Sequence, residues 1–215
     1  MADTLVFAGG DPPGPSELAD LAPPRLVIAA DSGVVAALAA GWRIDLVVGD
    51  LDSAPAEAIE AAAAAGADIE RHPAAKDSTD LELALRAARA RGAVDVLVLG
   101  AGGGRLDHLL ANAALLAAPE FAGLRLRARI GDAELVVIRD GAELIGRPGD
   151  RCSLLALGGP ARGITTDGLR YPLVGETLHP GSARGVSNEL LASRARVDIT
   201  EGVLLAILPD SGSSR

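Results

Sequence analysis

Four short apolar runs, Thr4 to Ala8, Arg25 to Ala30, Leu46 to Val48 and Val94 to Leu99, each give way to turn residues and then to a segment rich in alanine and leucine. Apolar runs of this length without strict alternation suit strands covered on both faces, and the segments between them suit returning helices. The alternation therefore predicts βα units around a parallel sheet. Helices are expected over 34–40, 54–65, 79–91 and 106–117. In the third, Leu81, Ala84, Leu85 and Ala88 fall on one face at helical spacing.

After Phe121 the period changes. In Leu124-Arg125-Leu126-Arg127-Ala128-Arg129-Ile130 the apolar residues point one way and the arginines the other, the pattern of an antiparallel strand with one wet face. Further strands are expected over 134–138, 152–157, 196–200 and 203–208, with glycine and proline between them. The predicted fold class is α/β: an N-terminal doubly wound, mostly parallel sheet domain over residues 1–122, then a C-terminal antiparallel β-sandwich over residues 123–215.

A hydrophobic fraction of 49% is enough for these cores, and the formal net charge of -9 opposes a nucleic-acid partner. An acidic chain still binds a nucleotide when cations screen the phosphates. No run approaches the roughly 20 apolar residues of a membrane span, and residues 1–8 lack the basic and long apolar stretches of a signal peptide. The expected location is cytoplasmic, with no membrane partner. The single cysteine, Cys152, cannot form an internal disulfide and reads as a small apolar filler beside Leu154, Leu155 and Leu157.

In open α/β sheets, ligands bind beyond the carboxyl ends of the strands. Those positions are acidic here: Asp31-Ser32-Gly33 after the second run, Gly49-Asp50-Leu51-Asp52-Ser53 after the third, and Gly100-Ala101-Gly102-Gly103-Gly104-Arg105-Leu106-Asp107-His108 after the fourth. A further segment, Lys76-Asp77-Ser78-Thr79-Asp80, opens a helix. Asp50 and Asp52 stand two apart, which in an extended segment aims both carboxylates to one side. Two like charges about 4 Å apart repel by ~4 kcal/mol at an effective dielectric of ~20. Converging carboxylates therefore call for a hard divalent cation, and Mg²⁺ held by a few carboxylates and substrate phosphates answers that need.

Asp77 reads either as an N-cap with Asp80 three residues on, or as a site residue one turn from Asp80, with Lys76 meeting a phosphate as a point charge. The glycine run lets backbone approach phosphates. Gly100, Gly102 and Arg105 do not complete a dinucleotide fingerprint, and the chain has no P-loop. Arg105 suits a bidentate phosphate contact or a surface pair with Asp107, and His108 either touches a nucleotide or braces the helix start. No serine or cysteine has a histidine and an acid at a nucleophile's spacing.

Taken together, these segments resemble thiamine pyrophosphokinases. The likeness runs through Asp31-Ser32-Gly33, Gly41, Asp45, Gly49 to Ser53, Lys76 to Asp80, Gly103 to His108 and Asn112. It continues in Gly168-Leu169-Arg170-Tyr171-Pro172-Leu173, Val186-Ser187-Asn188-Glu189, Gly202 and Leu204. The resemblance implies an ATP- and Mg²⁺-binding catalytic domain, a β-sandwich that binds thiamine, and a homodimer with active sites where the subunits meet. It implies Mg²⁺ ligation by Asp50, Asp52 and Asp80, with Asp52, Asp80, Lys76 and Arg105 as the catalytic set and Asp80 either a base or only a ligand. ATP would be held by the groups Asp31, Ser32 and Gly33; Lys76, Asp77 and Thr79; Gly103, Gly104 and Arg105; and Asp107 with His108. Thiamine would meet Asp80, Ser187 and Asn188. Leu51 stands where the family usually has Phe, and no Trp follows Trp42, which leaves Tyr171 as the aromatic candidate for stacking. The implied reaction moves a diphosphate from ATP to the thiamine hydroxyl and releases AMP. Its competitors are a diphosphokinase acting on a 6-hydroxymethyl-pterin and a non-catalytic nucleotide-binding regulatory protein.

Overall fold

The structure, a computed structural model, describes residues 2–75, 77–103 and 105–209. The chain forms two compact units: one runs up to Leu115 and takes in Gly123–Gly131, and the other combines Leu116–Ala122 with the chain from Asp132 onward.

In the first unit the strands are β1 (Thr4–Phe7), β2 (Leu26–Ala30), β3 (Leu46–Gly49), β4 (Asp68–Arg71), β5 (Asp95–Leu99) and β6 (Arg125–Ile130). They lie in the order β6-β5-β1-β2-β3-β4, and every neighbouring pair is parallel. The connecting helices are α1 (Pro15–Leu18), α2 (Gly33–Ala39), α3 (Ala56–Ala64), α4 (Asp80–Ala90) and α5 (Leu106–Leu116). Leu5, Phe7, Val27, Val47, Leu97 and Leu99 form the core with Val34 and Ala37 of α2. The Leu, Phe and Val side chains each contribute roughly 1.5–3 kcal/mol when fully buried. The expected face of α4 is the buried one. Its N-cap, however, is Thr79, whose hydroxyl accepts from the Glu82 amide at 3.2 Å. Asp77 lies outside the helix and does not cap it; a hydroxyl three residues before an open amide wins the position.

In the first unit two strand assignments differ from expectation. β4, Asp-Ile-Glu-Arg, is a charged edge strand with no apolar run to announce it, and its charges discourage further pairing. The segment 124–130, expected to be antiparallel within the second domain, is β6, parallel to β5. Alternation reveals that one face is buried, not which partner buries it. Leu126 and Ala128 enter the core, while Arg127 meets Asp95 at 3.0 Å and Arg129 donates to the carbonyls of Glu17 and Ala19 at 2.9 and 2.7 Å. The arginine face is thus satisfied by polar groups of the first unit.

The second unit is a sandwich of β7 (Ala133–Ile138), β8 (Gly141–Ile145), β9 (Arg151–Ala156), β10 (Ala161–Asp167), β11 (Glu176–Leu178), β12 (Asn188–Glu189), β13 (Arg194–Asp198) and β14 (Leu204–Leu208). Of these, β8, β10, β11 and β12 lie outside the expected strands. One layer is ordered β12-β9-β14-β7 and the other β11-β10-β13-β8, all antiparallel. Leu154 and Leu204 from one layer and Ile164, Leu144 and Val197 from the other share a core. Cys152 lies fully inside it, and burial pushes its thiol up to about 11, so it is the inert filler expected. Among the described residues, no helix is long and apolar enough to cross a membrane.

Candidate active site

The strand order of the first unit fixes where its site opens. From β1 the chain steps outward through β2, β3 and β4, then returns to the other side of β1 as β5. At such a switch point the loops leaving adjacent strands diverge and leave a crevice at the carboxyl edge. A pocket of about 500 Å³ lies there, lined by the loops after β1, β2, β3 and β5 and by the starts of α4 and α5.

Three of the expected carboxylates converge in it. One oxygen each from Asp31, Asp50 and Asp52 lies within 4.8 Å of the other two, a separation at which each pair of charges repels by roughly 3 kcal/mol at a dielectric of ~20. Asp31 is 8% exposed, and its Oδ1 is buried with no hydrogen-bond partner. Burial, and then the charges of Asp80, Asp50 and Asp52, hold its carboxyl above the usual aspartate range. Asp31 also adopts a left-handed φ of 47°, and Leu51, between the other two aspartates, one of 62°. Such conformations cost about 1–2 kcal/mol and gather where function constrains the backbone.

The left-handed Leu51 corrects the geometry expected for Asp50 and Asp52. The segment is a tight turn rather than an extended strand end, with the Asp52 amide 3.4 Å from Asp50 Oδ1 and the Ser53 hydroxyl donating to Asp52 Oδ1 at 3.0 Å. Leu51 itself is buried in the core, so it anchors this turn. Asp80, at the first turn of α4, stands over Gly49; a Cβ on that glycine would come within 2.8 Å of Asp80 Oδ1, and its φ of 146° also favours glycine. The carboxylate set around the cluster is therefore wider than Asp50, Asp52 and Asp80: Asp31, expected as a nucleotide contact, sits among them.

The other expected residues separate. Ser32, Thr79, Gly103, Arg105 and His108 line the pocket. Gly33 instead packs α2 onto β1, where a Cβ would lie 2.1 Å from the Phe7 carbonyl oxygen. Asp77 and Asp107 do not line the pocket, and Lys76 and Gly104 lie outside the described residues. Arg105 makes the surface pair, donating from Nη2 and Nε to Asp107 at 2.6 and 3.2 Å; its guanidinium holds the Asp107 carboxyl down at about 2. Ser187 and Asn188 belong to the second unit, where Ser187 is exposed and Asn188 buried.

Sequence reasoning overlooked Gly9, Gly10 and Asp11, which line the pocket from the loop after β1. Amides of Gly10 and Asp11 donate to the carbonyls of Gly100 and Gly102 at 2.9 and 3.0 Å, extending the β1–β5 pairing into the glycine loop. A Cβ on Gly10 would lie 1.9 Å from the Gly102 oxygen, so only glycine permits this approach. Asn112 secures the loop from the other side, donating to the Ala101 carbonyl at 2.9 Å. The available signal was the glycine pair directly after the first apolar run.

A family model described as thiamin pyrophosphokinase, catalytic domain, matches residues 21–128, and another described as thiamin pyrophosphokinase, vitamin B1 binding domain, matches residues 140–204. Thiamine pyrophosphokinase from Bacillus subtilis (strain 168) is 29% identical over 184 residues, spanning 85% of this chain and 86% of that protein. A crystal structure of thiamine pyrophosphokinase from Bacillus subtilis superposes with a TM-score of 0.82 at 27% identity, covering 95% of this chain and 97% of that one. A thiamin pyrophosphokinase from Geobacillus thermodenitrificans gives 0.78 at 28% identity, with 95% of each chain covered. The enzyme from Candida albicans, at 14% identity and a TM-score of 0.76 over 95% of this chain and 88% of its own, shares the fold.

Proposed function

This chain belongs to the thiamin pyrophosphokinase family, and on that premise we propose how its pocket carries out the transfer of diphosphate from ATP to the thiamine hydroxyl. The hydroxyl oxygen forms a bond to the β-phosphorus, the bond from that phosphorus to the oxygen bridging it to the α-phosphorus breaks, and AMP leaves with that oxygen. Thiamine diphosphate is the product. The first unit is the ATP- and metal-binding domain and the second the thiamine-binding domain, in keeping with the descriptions of the two matching models.

The single observation that carries the mechanism is the unpartnered Asp31 Oδ1 among Asp50 and Asp52. A buried carboxylate oxygen without a donor, facing two more carboxylates, suits a hard divalent cation. Asp31, Asp50 and Asp52 would hold Mg²⁺, with Asp80 beside them. When bound, the cation offsets charge on the phosphates of ATP and on the leaving AMP. Asp80 orients the acceptor hydroxyl and takes its proton. Ser32, Thr79, Gly103 and His108 contact the nucleotide, with Gly10 and Asn112 holding the glycine loop in shape. Lys76 and Arg105 meet phosphate, Arg105 by exchanging its contact with Asp107 for one with ATP; such charge-assisted contacts position the transferred group. Ser187 and Tyr171 face thiamine. The working form is a cytoplasmic homodimer with active sites at the subunit interface, a state that sedimentation at varied protein concentration checks.

Purified protein incubated with ATP, Mg²⁺ and thiamine should yield thiamine diphosphate and AMP in equal amounts by chromatography. ADP as the nucleotide product, or turnover of a 6-hydroxymethyl-pterin in place of thiamine, would overturn this reading.

A further inference from the structure

Asn188, expected to touch the acceptor, has its side chain already engaged. It is 4% exposed; its Oδ1 accepts from the amides of Tyr171 and Glu189, both at 2.9 Å, and its Nδ2 donates to the Tyr171 carbonyl at 2.7 Å. An asparagine amide offers two lone pairs and two N–H groups, so both lone pairs and one N–H are committed to backbone.

The surroundings explain why a side chain does this. Residues 168–171 and 188–191 run antiparallel: the Leu191 amide donates to the Gly168 carbonyl at 2.8 Å, Leu169 bridges to Leu190, and the Arg170 amide donates to the Glu189 carbonyl at 2.9 Å. Rungs of an antiparallel pair recur at every second residue, so the next would join 172 and 187, and the ladder itself offers nothing to the N–H and C=O of Tyr171. At 187 the partner chain segment turns away, because Ser187 is left-handed at φ 59° and its amide goes to the Ser153 hydroxyl at 3.2 Å. The Asn188 amide instead pairs with both the N–H and the C=O of Tyr171, as a peptide group would. Tyr171 is consequently held from behind while 53% of it remains exposed. It is the only tyrosine in the chain, and its strap also carries the exposed Val174.

We propose that Asn188 is a positioning residue that acts on the acceptor through Tyr171, fixing the backbone so that the ring is a preorganised, specificity-determining face for a flat cationic heterocycle. A ring that loses no freedom on binding keeps more of its stacking and cation–π energy. The inference rests on the thiamine reading above.

A double-mutant cycle tests it, using the full-length protein with ATP and thiamine. Asn188→Ala and Tyr171→Ala should each raise KM for thiamine by about tenfold, with KM for ATP little changed, and the double variant should be no worse than Tyr171→Ala alone. Tyr171→Phe should keep most of the wild-type KM. Effects of the two alanine substitutions that multiply would overturn the proposal, because Asn188 would then contact the acceptor itself; an unchanged KM in Asn188→Ala would overturn it equally. If Asn188→Ala fails to fold, Asn188→Asp, which keeps the shape and loses the donor to the Tyr171 carbonyl, takes its place in the cycle. A wild-type protein that leaves thiamine untouched defeats the functional reading instead. The clamp is then judged by the near-ultraviolet circular dichroism of the single tyrosine, which Asn188→Ala should abolish while far-ultraviolet signal and melting remain; a retained tyrosine band overturns the clamp.

Discussion

The two units handle charge in opposite ways. In the sandwich, acidic side chains meet arginines across the surface: Arg194 with Glu143 at 2.8 Å, Arg170 with Glu189 at 2.6 Å, Arg184 with Glu176 at 2.8 Å. In the pocket of the first unit, Asp31, Asp50 and Asp52 are brought together, one of them buried with an unpartnered oxygen. The sandwich arrangement minimises electrostatic energy in the protein alone. The pocket arrangement gathers like charge around a buried oxygen, and a bound cation would lower that cost, which marks where binding occurs.

The largest effect that would break this contrast is on catalysis. Asp52→Asn should lower kcat by about 10²–10³-fold without lowering the melting temperature, as for loss of other transition-state charge contacts. A variant keeping more than a tenth of wild-type turnover would remove Asp52 from the cation site. Gly49→Ala comes next. Its Cβ meets Asp80 Oδ1 at 2.8 Å in a conformation that disfavours alanine, so denaturant unfolding should register a loss of roughly 1–3 kcal/mol together with reduced activity. Wild-type values for both would mean Asp80 has room to move.

Asp31→Asn runs the other way. Removing a buried charge whose Oδ1 has no donor should raise the melting temperature measured in chelator by a few degrees, about 1 kcal/mol for a chain of this size, and should erase the stabilisation by Mg²⁺ expected of the wild type. A lower melting temperature in chelator would mean the charge is already compensated. Within the sandwich, Glu143→Gln should change stability by less than about 0.5 kcal/mol, since both partners of that pair are about half exposed or more. The smallest effect is at the pocket's rim. Asp107, depressed from 3.8 to about 2 by Arg105, should stay ionised as pH falls, and the pair's stabilisation is present above 3.8 and fades toward 2. Arg105→Ala should return the NMR-measured carboxyl value toward 3.8; persistence near 2 would assign the depression to another group.

The residues themselves determined a good deal. Apolar runs that cannot remain in water specified four strands of the parallel sheet, leaving out the charged β4 and the alternating β6, and the acids placed after those runs located the pocket, because strand ends and ligand sites coincide in open α/β sheets. Cys152 was legible as filler from its apolar neighbours alone. Tertiary structure decided whatever depends on a partner distant in the chain. The alternation in 124–130 announces one buried face, yet only the Asp95 carboxylate and the carbonyls of Glu17 and Ala19 explain why its arginines turn toward the first unit. Gly9 and Gly10 look like ordinary turn residues until β5 is laid beside β1, when the 1.9 Å clearance at Gly10 becomes a requirement. Asn188 likewise reads as a substrate contact until its side-chain amide is found paired with the N–H and C=O of Tyr171. Local pattern reports how much of a side chain must be buried; which group satisfies it is set by strand order and register, and those are fixed only when the whole sheet assembles.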